Sequence, residues 1–330
     1  MKTSKDVNIE ARNAIERGET PEQVFDVVRA RANGASKQVD APITSAGDTS
    51  TSTSGMQHIA SLLAEALKTP LPRLDTGYPE FDQALDGGFV PGCLGILAAL
   101  TSNGKSTIAL NIALSMALRG TPSAIISLED SQTIVSHKLL SMSSRVELAK
   151  ISKGTLDAGD RKRIDDANEH LAKCPLYFSE TASLEGIKRD VEHAVKMGVH
   201  FVIIDQLHHV TLDRNANPYE RISTVTRGLQ RLAAQSGVAL LVCHQCNRKA
   251  EDDTELKLHH LRDSGTIEQD ARLVLLVTKC ERDELDSTKP AVLTLKVAKN
   301  SHGPRGREFR LLAHFDRASI DNYFPVGVNE

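Results

Sequence analysis

Gly104-Lys105-Ser106 is the stretch of this chain best equipped for chemistry. A glycine lets the backbone turn tightly and approach a ligand closely. The lysine brings a positive charge, and the serine a small hydroxyl. Upstream, Cys93 to Leu100 is apolar throughout apart from Gly95 and reads as a buried strand. Downstream, Ser106 to Leu118 reads as a helix with Ile108, Ala109, Ile112, Ala113, Met116 and Ala117 on one face. A strand, a short polar loop and a helix that opens on Gly-Lys-Ser form a phosphate-binding loop. Its amides and the helix N-terminus favour an anion. Ala99, Leu100, Thr101, Ser102, Asn103, Gly104, Lys105, Ser106 and Thr107 would form the cradle of a nucleoside triphosphate such as ATP. Lys105 would reach the β- and γ-phosphates, and the Ser106 hydroxyl would hold Mg²⁺. The usual pattern begins with glycine where Ala99 stands.

Three other strand ends carry residues that suit the same ligand. Ser127-Leu128-Glu129-Asp130 closes an apolar strand, and a carboxylate there can orient and deprotonate a water. Asp130 or Ser131 can serve as a helix cap, which leaves Glu129 without a structural duty. Phe201-Val202-Ile203-Ile204-Asp205 is an apolar strand that ends in aspartate, the Walker B form, and reaches Mg²⁺ through water. Cys243-His244-Gln245-Cys246 places Gln245 where it can sense a γ-phosphate and pass the signal to the following loop.

That loop is polar, Asn247 to His260, and carries Arg248, Lys249, Lys257 and His259. After it, amides around Ser264-Gly265 could grip a phosphate at a helix start. An acidic solvated loop, Glu251-Asp252-Asp253, is the plainer reading of the same segment. Cys243 and Cys246 form a C-x-x-C with no second pair spaced to complete a zinc site, so a structural role is favoured. His208-His209 and His259-His260 are expected in surface loops.

These residues need a sheet to bring them together. Apolar runs at 123–128, 175–178, 200–204, 238–243, 273–278, 291–297 and 309–312 read as strands. Helical stretches around 131–143, 158–172, 184–197 and 217–235 separate the earlier ones. That alternation predicts an α/β fold: a mostly parallel sheet covered on both faces, with an antiparallel edge where helices no longer intervene. Ligand groups in such a sheet gather at the carboxyl ends of the strands.

The chain has 330 residues, of which 40% are hydrophobic, enough for a large core. Its net charge of −3 excludes a global basic signature for nucleic acid, so any such contact must be local or pooled among subunits. Five scattered cysteines argue for a reducing compartment rather than a disulfide framework. No apolar run reaches membrane-spanning length and no signal peptide is evident, so a cytoplasmic protein with no membrane partner is expected. Residues 1–33 read as a short helical segment, with Thr20-Pro21-Glu22-Gln23 a helix start. Residues 34–55 read as a flexible linker, since little there can offset its ordering entropy. Residues 56–70 read as an amphipathic linker helix with Ile59, Leu62, Leu63, Ala66 and Leu67 on one stripe. Residues 71–330 read as the catalytic domain.

From about Thr76 to Asn322 the chain resembles the RecA-like motor domain of DnaB-type replicative helicases. Thr76-Gly77-Tyr78, Gly87-Gly88 and Pro91-Gly92 are similar to the family's entry segment. His244-Gln245-Cys246-Asn247-Arg248 is similar to its Ser-Gln-Leu-Ser/Asn-Arg motif. Leu261-Arg262-Asp263-Ser264-Gly265-Thr266-Ile267-Glu268-Gln269-Asp270-Ala271 nearly repeats its Leu-Arg-Glu-Ser-Gly-Ser-Ile-Glu-Gln-Asp-Ala, the most specific match of all. The family's phosphate loop tends to begin with alanine, as here with Ala99. The resemblance implies a RecA-like P-loop ATPase in a homo-hexameric ring around single-stranded DNA, with ATP bound between subunits. It implies Glu129 as the catalytic glutamate and Arg248, Asp263, Ser264 and Gly265 at the DNA backbone. The linker helix would pack on the neighbouring subunit, and residues 1–33 are a candidate docking element for replication partners.

Two departures stand out. Residues 1–55 ahead of the linker helix are too short a stretch to read as the family's large N-terminal helical domain, so interactions made through that domain are not expected of them. And where the family has Lys-x-Arg-Asn-Gly-Pro, with the arginine reaching the neighbour's ATP, this chain has Lys299-Asn300-Ser301-His302-Gly303-Pro304. Lys299 remains to act in trans, and Arg305 or Arg307 could replace the arginine from a shifted loop. An arginine finger is worth several orders of magnitude in rate. Its loss keeps open a nucleotide-dependent DNA-binding or assembly ATPase without strong unwinding, or a nucleotide-binding regulator that never touches DNA.

Overall fold

The computed structural model describes residues 59, 63, 68, 70–212, 217–247, 256–261, 264–283 and 289–324. The segments 1–33 and 34–55, and most of 56–70, lie outside the described residues, as do Arg248 and Asp263.

Nine strands among the described residues form one sheet. They are β1 (Leu94–Ala99), β2 (Ser123–Ser127), β3 (Leu176–Ser179), β4 (Phe201–Asp205), β5 (Ala239–Gln245), β6 (Leu273–Glu281), β7 (Ala291–Asn300), β8 (Glu308–His314) and β9 (Ser319–Asn322). Their order is β3-β2-β4-β5-β1-β6-β7-β8-β9. The pairs from β3 through to β6 are parallel, and β6–β7, β7–β8 and β8–β9 are antiparallel, as the helix spacing predicts.

The helices are α1 (Pro79–Ala84), α2 (Lys105–Leu118), α3 (Gln132–Ser144), α4 (Leu148–Lys153), α5 (Ala158–Leu171), α6 (Leu184–Lys196), α7 (Pro218–Ser236) and α8 (Ser264–Asp270). Alternate residues of each central strand feed two cores, because successive side chains leave a strand on opposite faces. Leu97, Ile125, Ile203 and Leu241 pack with Ile108, Ile112 and Met116 of α2 on one side. Ile96, Ile126, Ile204 and Val242 pack with Ile187 and Val191 of α6 and Val225 and Leu229 of α7 on the other. Burial on both faces is why these strands read as unbroken apolar runs.

Helix α2 departs from the one-faced expectation: Leu110, Asn111 and Leu114 are buried as well. At Asn111 the cause is the entry to β9. Asn111, 6% exposed, donates from Nδ2 to Ala318 O at 2.8 Å and accepts from Ile320 N at 3.0 Å. A polar residue on the supposed solvent face is thus the tie that holds the last strand. Three short elements, α1, α4 and β9, add to those read from the sequence.

Candidate functional site

Gly104 sits left-handed at φ 82° and caps α2. A Cβ built there would lie 3.1 Å from the Phe315 ring, so a side chain would be strained by the backbone and would crowd the ring. Asn103 N bonds Leu100 O at 3.3 Å and Ile108 N bonds Gly104 O at 2.8 Å, so the loop closes into the helix without a gap. No acidic residue lies in the first turn of α2, which leaves its amides and the buried Lys105 to an anion.

The strand ends expected to share this ligand are neighbours in the sheet. Ser127 of β2 pairs with Asp205 of β4, and Ala99 of β1 pairs with Gln245 of β5. Asp205 is 4% exposed, and its Oδ1 has no hydrogen-bond partner among the described residues. A desolvated carboxylate oxygen without a donor is costly unless a cation completes it. That environment, with the Ser106 hydroxyl at the start of α2, fits a hard divalent ion that takes oxygen ligands. Glu129 is exposed, and its Oε2 accepts from Gln206 Nε2 at 2.8 Å. Leu128 N bonds Asp205 O at 2.6 Å, so the ends of β2 and β4 are joined through the backbone too. Gln245 Nε2 donates to Thr101 Oγ1 at 2.6 Å, which ties β5 to the phosphate loop.

Three side chains here carried no signal in the sequence. Gln206 follows the Walker B aspartate and looks like any polar turn residue. Arg282 and Phe315 lie far along the chain, yet the Arg282 guanidinium donates to Ser102 O and stacks 4.1 Å above the Phe315 ring. The pair braces the outer side of the phosphate loop.

The segment after Gln245 returns on itself. Cys246 pairs with Leu261, and Asn247 N bonds His260 O at 2.9 Å, so the base of the 247–260 loop lies beside the approach to α8. Gly265 is exposed in the first turn of α8. Asp130 does not cap the next helix but pairs with Lys138. Cys243 packs in the α2-side core and Cys246 in the α7-side core, so their thiols face opposite sides of the sheet and share no chelation point. Burial raises both thiols, Cys246 to about 12. His209 and His259 are exposed as expected, but their neighbours are not. His260 is buried, and half-buried His208 packs against buried His244 with ring centroids 4.7 Å apart.

Lys299 lies away from this cluster. Its Nζ donates to the carbonyls of Glu268 and Gln269, the latter at 3.4 Å, at the C-terminal end of α8. Burial and the nearby Arg272 charge lower its pKa, against the pull of Glu268 and Asp270. Arg307 is engaged with Gln83 O at 2.6 Å and Asp86 at 3.5 Å.

The family model described as DnaB-like helicase C terminal domain matches residues 73–317. The chain belongs to that family. The replicative DNA helicase DnaB of Leifsonia xyli subsp. xyli (strain CTCB07) is 32% identical over 238 residues, covering 69% of this chain and 51% of the relative. The protein of the same name from Treponema pallidum (strain Nichols) is 29% identical over 258 residues, covering 76% of this chain and 56% of the relative. The chain thus spans about half the length of the curated relatives it matches. A solved structure of a DnaB-like replicative helicase superposes with a TM-score of 0.70 at 20% identity, over 97% of this chain and 76% of that one, which shows a shared fold. Within this DnaB-type domain no helix among the described residues is long and apolar enough to cross a membrane.

Proposed function

We propose that this domain is an ATP-driven helicase motor that moves along single-stranded DNA as a six-membered ring. The observation that carries the reading is the meeting, at adjacent strand ends, of the Lys105 loop, Glu129, Asp205 and Gln245. Lys105 and the loop amides hold the triphosphate. Ser106 and Asp205 would hold Mg²⁺, which supplies charge neutralisation at the β- and γ-phosphates when bound. Glu129, steadied by Gln206, orients a water and accepts its proton. Gln245 touches the phosphate loop on one side and opens the 247–260 loop on the other, so it couples nucleotide to DNA. Arg248, Asp263, Ser264 and Gly265 serve the DNA backbone, and Lys299 acts on a neighbouring subunit. The linker helix 56–70 would join neighbours, residues 1–33 would receive replication partners, and the work would be done in the cytoplasm.

One observation favours a second reading. Ser301 stands where the family's trans arginine is expected, which suits an assembly ATPase that coats DNA without separating it. ATP hydrolysis with and without single-stranded DNA, on wild type and Glu129→Gln, together with unwinding of a forked duplex, decides between them. DNA-stimulated hydrolysis abolished by the substitution, with unwinding, supports the motor. ATP binding with negligible turnover in both proteins supports the second reading.

A further inference from the structure

The pairing that carries Lys299 also carries a cation to which no motif points. In the β6–β7 pair Leu273 stands opposite Asn300 and Val274 opposite Lys299, with a register shift immediately after Val274. Continued one step outward, the register sets Arg272 opposite Ser301, and Ser301 N donates to Arg272 O at 2.8 Å. Residues directly opposed in an antiparallel pair project from the same face. Arg272 therefore emerges where a side chain longer than that of Ser301 would emerge, beside Lys299.

Among the described residues the Arg272 side chain is felt by Cys93 and Lys299 only through its charge. Arg272 is exposed, and its guanidinium makes no hydrogen bond or ion pair with another described residue. Its neighbour Lys299 is a second cation, turned towards the end of α8. Lys299 already feels the Glu268 and Asp270 carboxylates, but its repulsion with Arg272 persists, and an anion brought between the two would relieve it. Other arginines at this end are taken: Arg73 bonds Leu85 O at 3.2 Å and His302 O at 2.7 Å, and Arg307 is held by Gln83 and Asp86. Arg305 is exposed at the β7–β8 turn and is the remaining competitor.

The anion cannot be the nucleotide of the same copy. Arg272 N bonds Leu94 O, at the amino end of β1, whereas the phosphate loop follows Ala99 at the carboxyl end. Five residue steps of strand separate the two, about 16 Å at ~3.3 Å each, more than an arginine side chain spans. A group at one end of the sheet that serves a loop at the other makes a head-to-tail contact between copies, the kind that closes into a ring.

We propose that Arg272 is the arginine that each copy lends to the triphosphate held by the next, in place of the side chain absent at Ser301. The inference rests on the motor reading above. In the reaction, water oxygen bonds to the γ-phosphorus, the bond to the β,γ-bridging oxygen breaks, and ADP leaves with the electron pair. Glu129 of the copy holding the nucleotide takes the proton, and Arg272 of the adjacent copy balances the negative charge that builds on the transferred group.

The test uses the full chain. Arg272→Ala is expected to lower ATP turnover about 10³-fold, the lower range for a trans arginine. It is expected to leave ADP affinity at the phosphate loop unchanged. A readout independent of turnover is the trapping of fluorescent ADP with aluminium fluoride, which mimics the transferring phosphoryl group. Wild type should trap it and Arg272→Ala should not. Adding Ser301→Arg to Arg272→Ala should restore trapping and turnover. Mixing Arg272→Ala chains with Lys105→Ala chains should restore part of the activity, because some junctions then combine an intact loop with an intact arginine. Wild-type turnover and trapping untouched by Arg272→Ala, or lost instead in Arg305→Ala, would overturn the proposal and leave the motor reading standing. A wild type that binds ATP but neither hydrolyses nor traps would overturn the motor reading itself, and this inference with it.

Discussion

Gln206 Nε2 donates to Glu129 Oε2 at 2.8 Å, joining the residue after β4 to the residue two beyond β2. Gln206 is buried and Glu129 exposed, so the amide anchors a carboxylate that would otherwise swing in solvent. One oxygen is occupied by the bond and the other is left for a water. Glu129→Gln should lower the rate of ATP hydrolysis by about 10²- to 10⁴-fold, the range for loss of a positioned general base. Gln206→Ala keeps the base and loses its aim, so about a tenfold fall in kcat with unchanged KM is expected, a misplacement cost at the modest end. Steady-state kinetics on both variants check this.

The Gln245–Thr101 bond predicts an uncoupled enzyme. Gln245→Ala removes the link between β5 and the phosphate loop without touching Lys105, Asp205 or Glu129. Basal hydrolysis should persist while stimulation by single-stranded DNA is lost. The ratio of rates with and without DNA measures this, and retained stimulation would count against a coupling role.

Gly104→Ala should abolish nucleotide binding and destabilise the fold. The left-handed conformation costs an L-residue about 1–2 kcal/mol, and the new methyl would lie 3.1 Å from the Phe315 ring. Trimming the ring with Phe315→Leu relieves the contact but not the backbone, so the double variant should stay impaired. A nucleotide titration and a urea midpoint report the two effects separately.

The last strand is pinned by charge as well as by Asn111. Arg145 donates to both oxygens of Asp321, at 2.7 and 2.9 Å. Burial alone would raise the Asp321 pKa, but the Arg145 bonds outweigh it and the pKa falls below the usual carboxylate range. A carboxylate with a depressed folded pKa stabilises the fold fully above its unfolded pKa of about 4 and loses that contribution as pH falls through the folded value. Asp321→Asn should therefore cost up to about 1 kcal/mol at pH 7, as expected of a half-exposed but bidentate pair, and far less in strong acid. Urea denaturation of both proteins at neutral and acid pH checks the sign.

Much of the scaffold was readable in the chain because its signals are local. Phe201 to Asp205 is buried on both faces, so it appears as an unbroken apolar run with its carboxylate at the ligand end. The same holds for Ala239 to Gln245. The helices between them announce a parallel sheet, and the lack of helices after β6 announces the antiparallel edge. What could not be read depends on segments that meet only after folding. Periodicity placed Asn111 outside the apolar stripe of α2, and only the arrival of β9 buries it. Arg282 and Phe315 reach the phosphate loop from distant turns. Gln206 acquires its meaning from Glu129 on another strand, and Arg272 from its register with Ser301. Short elements such as α4 and β9 carry too few residues for a period to show.

Both margins of the sheet are four-residue strands, β3 and β9. Short edge strands offer an incoming chain little unpaired backbone to zip onto. Strand-by-strand growth is therefore disfavoured at these two edges of the described sheet, and in the proposed ring copies would meet through loops, helices and side chains. Contacts of that kind can loosen and re-form with each bound or released nucleotide, whereas a shared backbone ladder would fuse the copies into one rigid body.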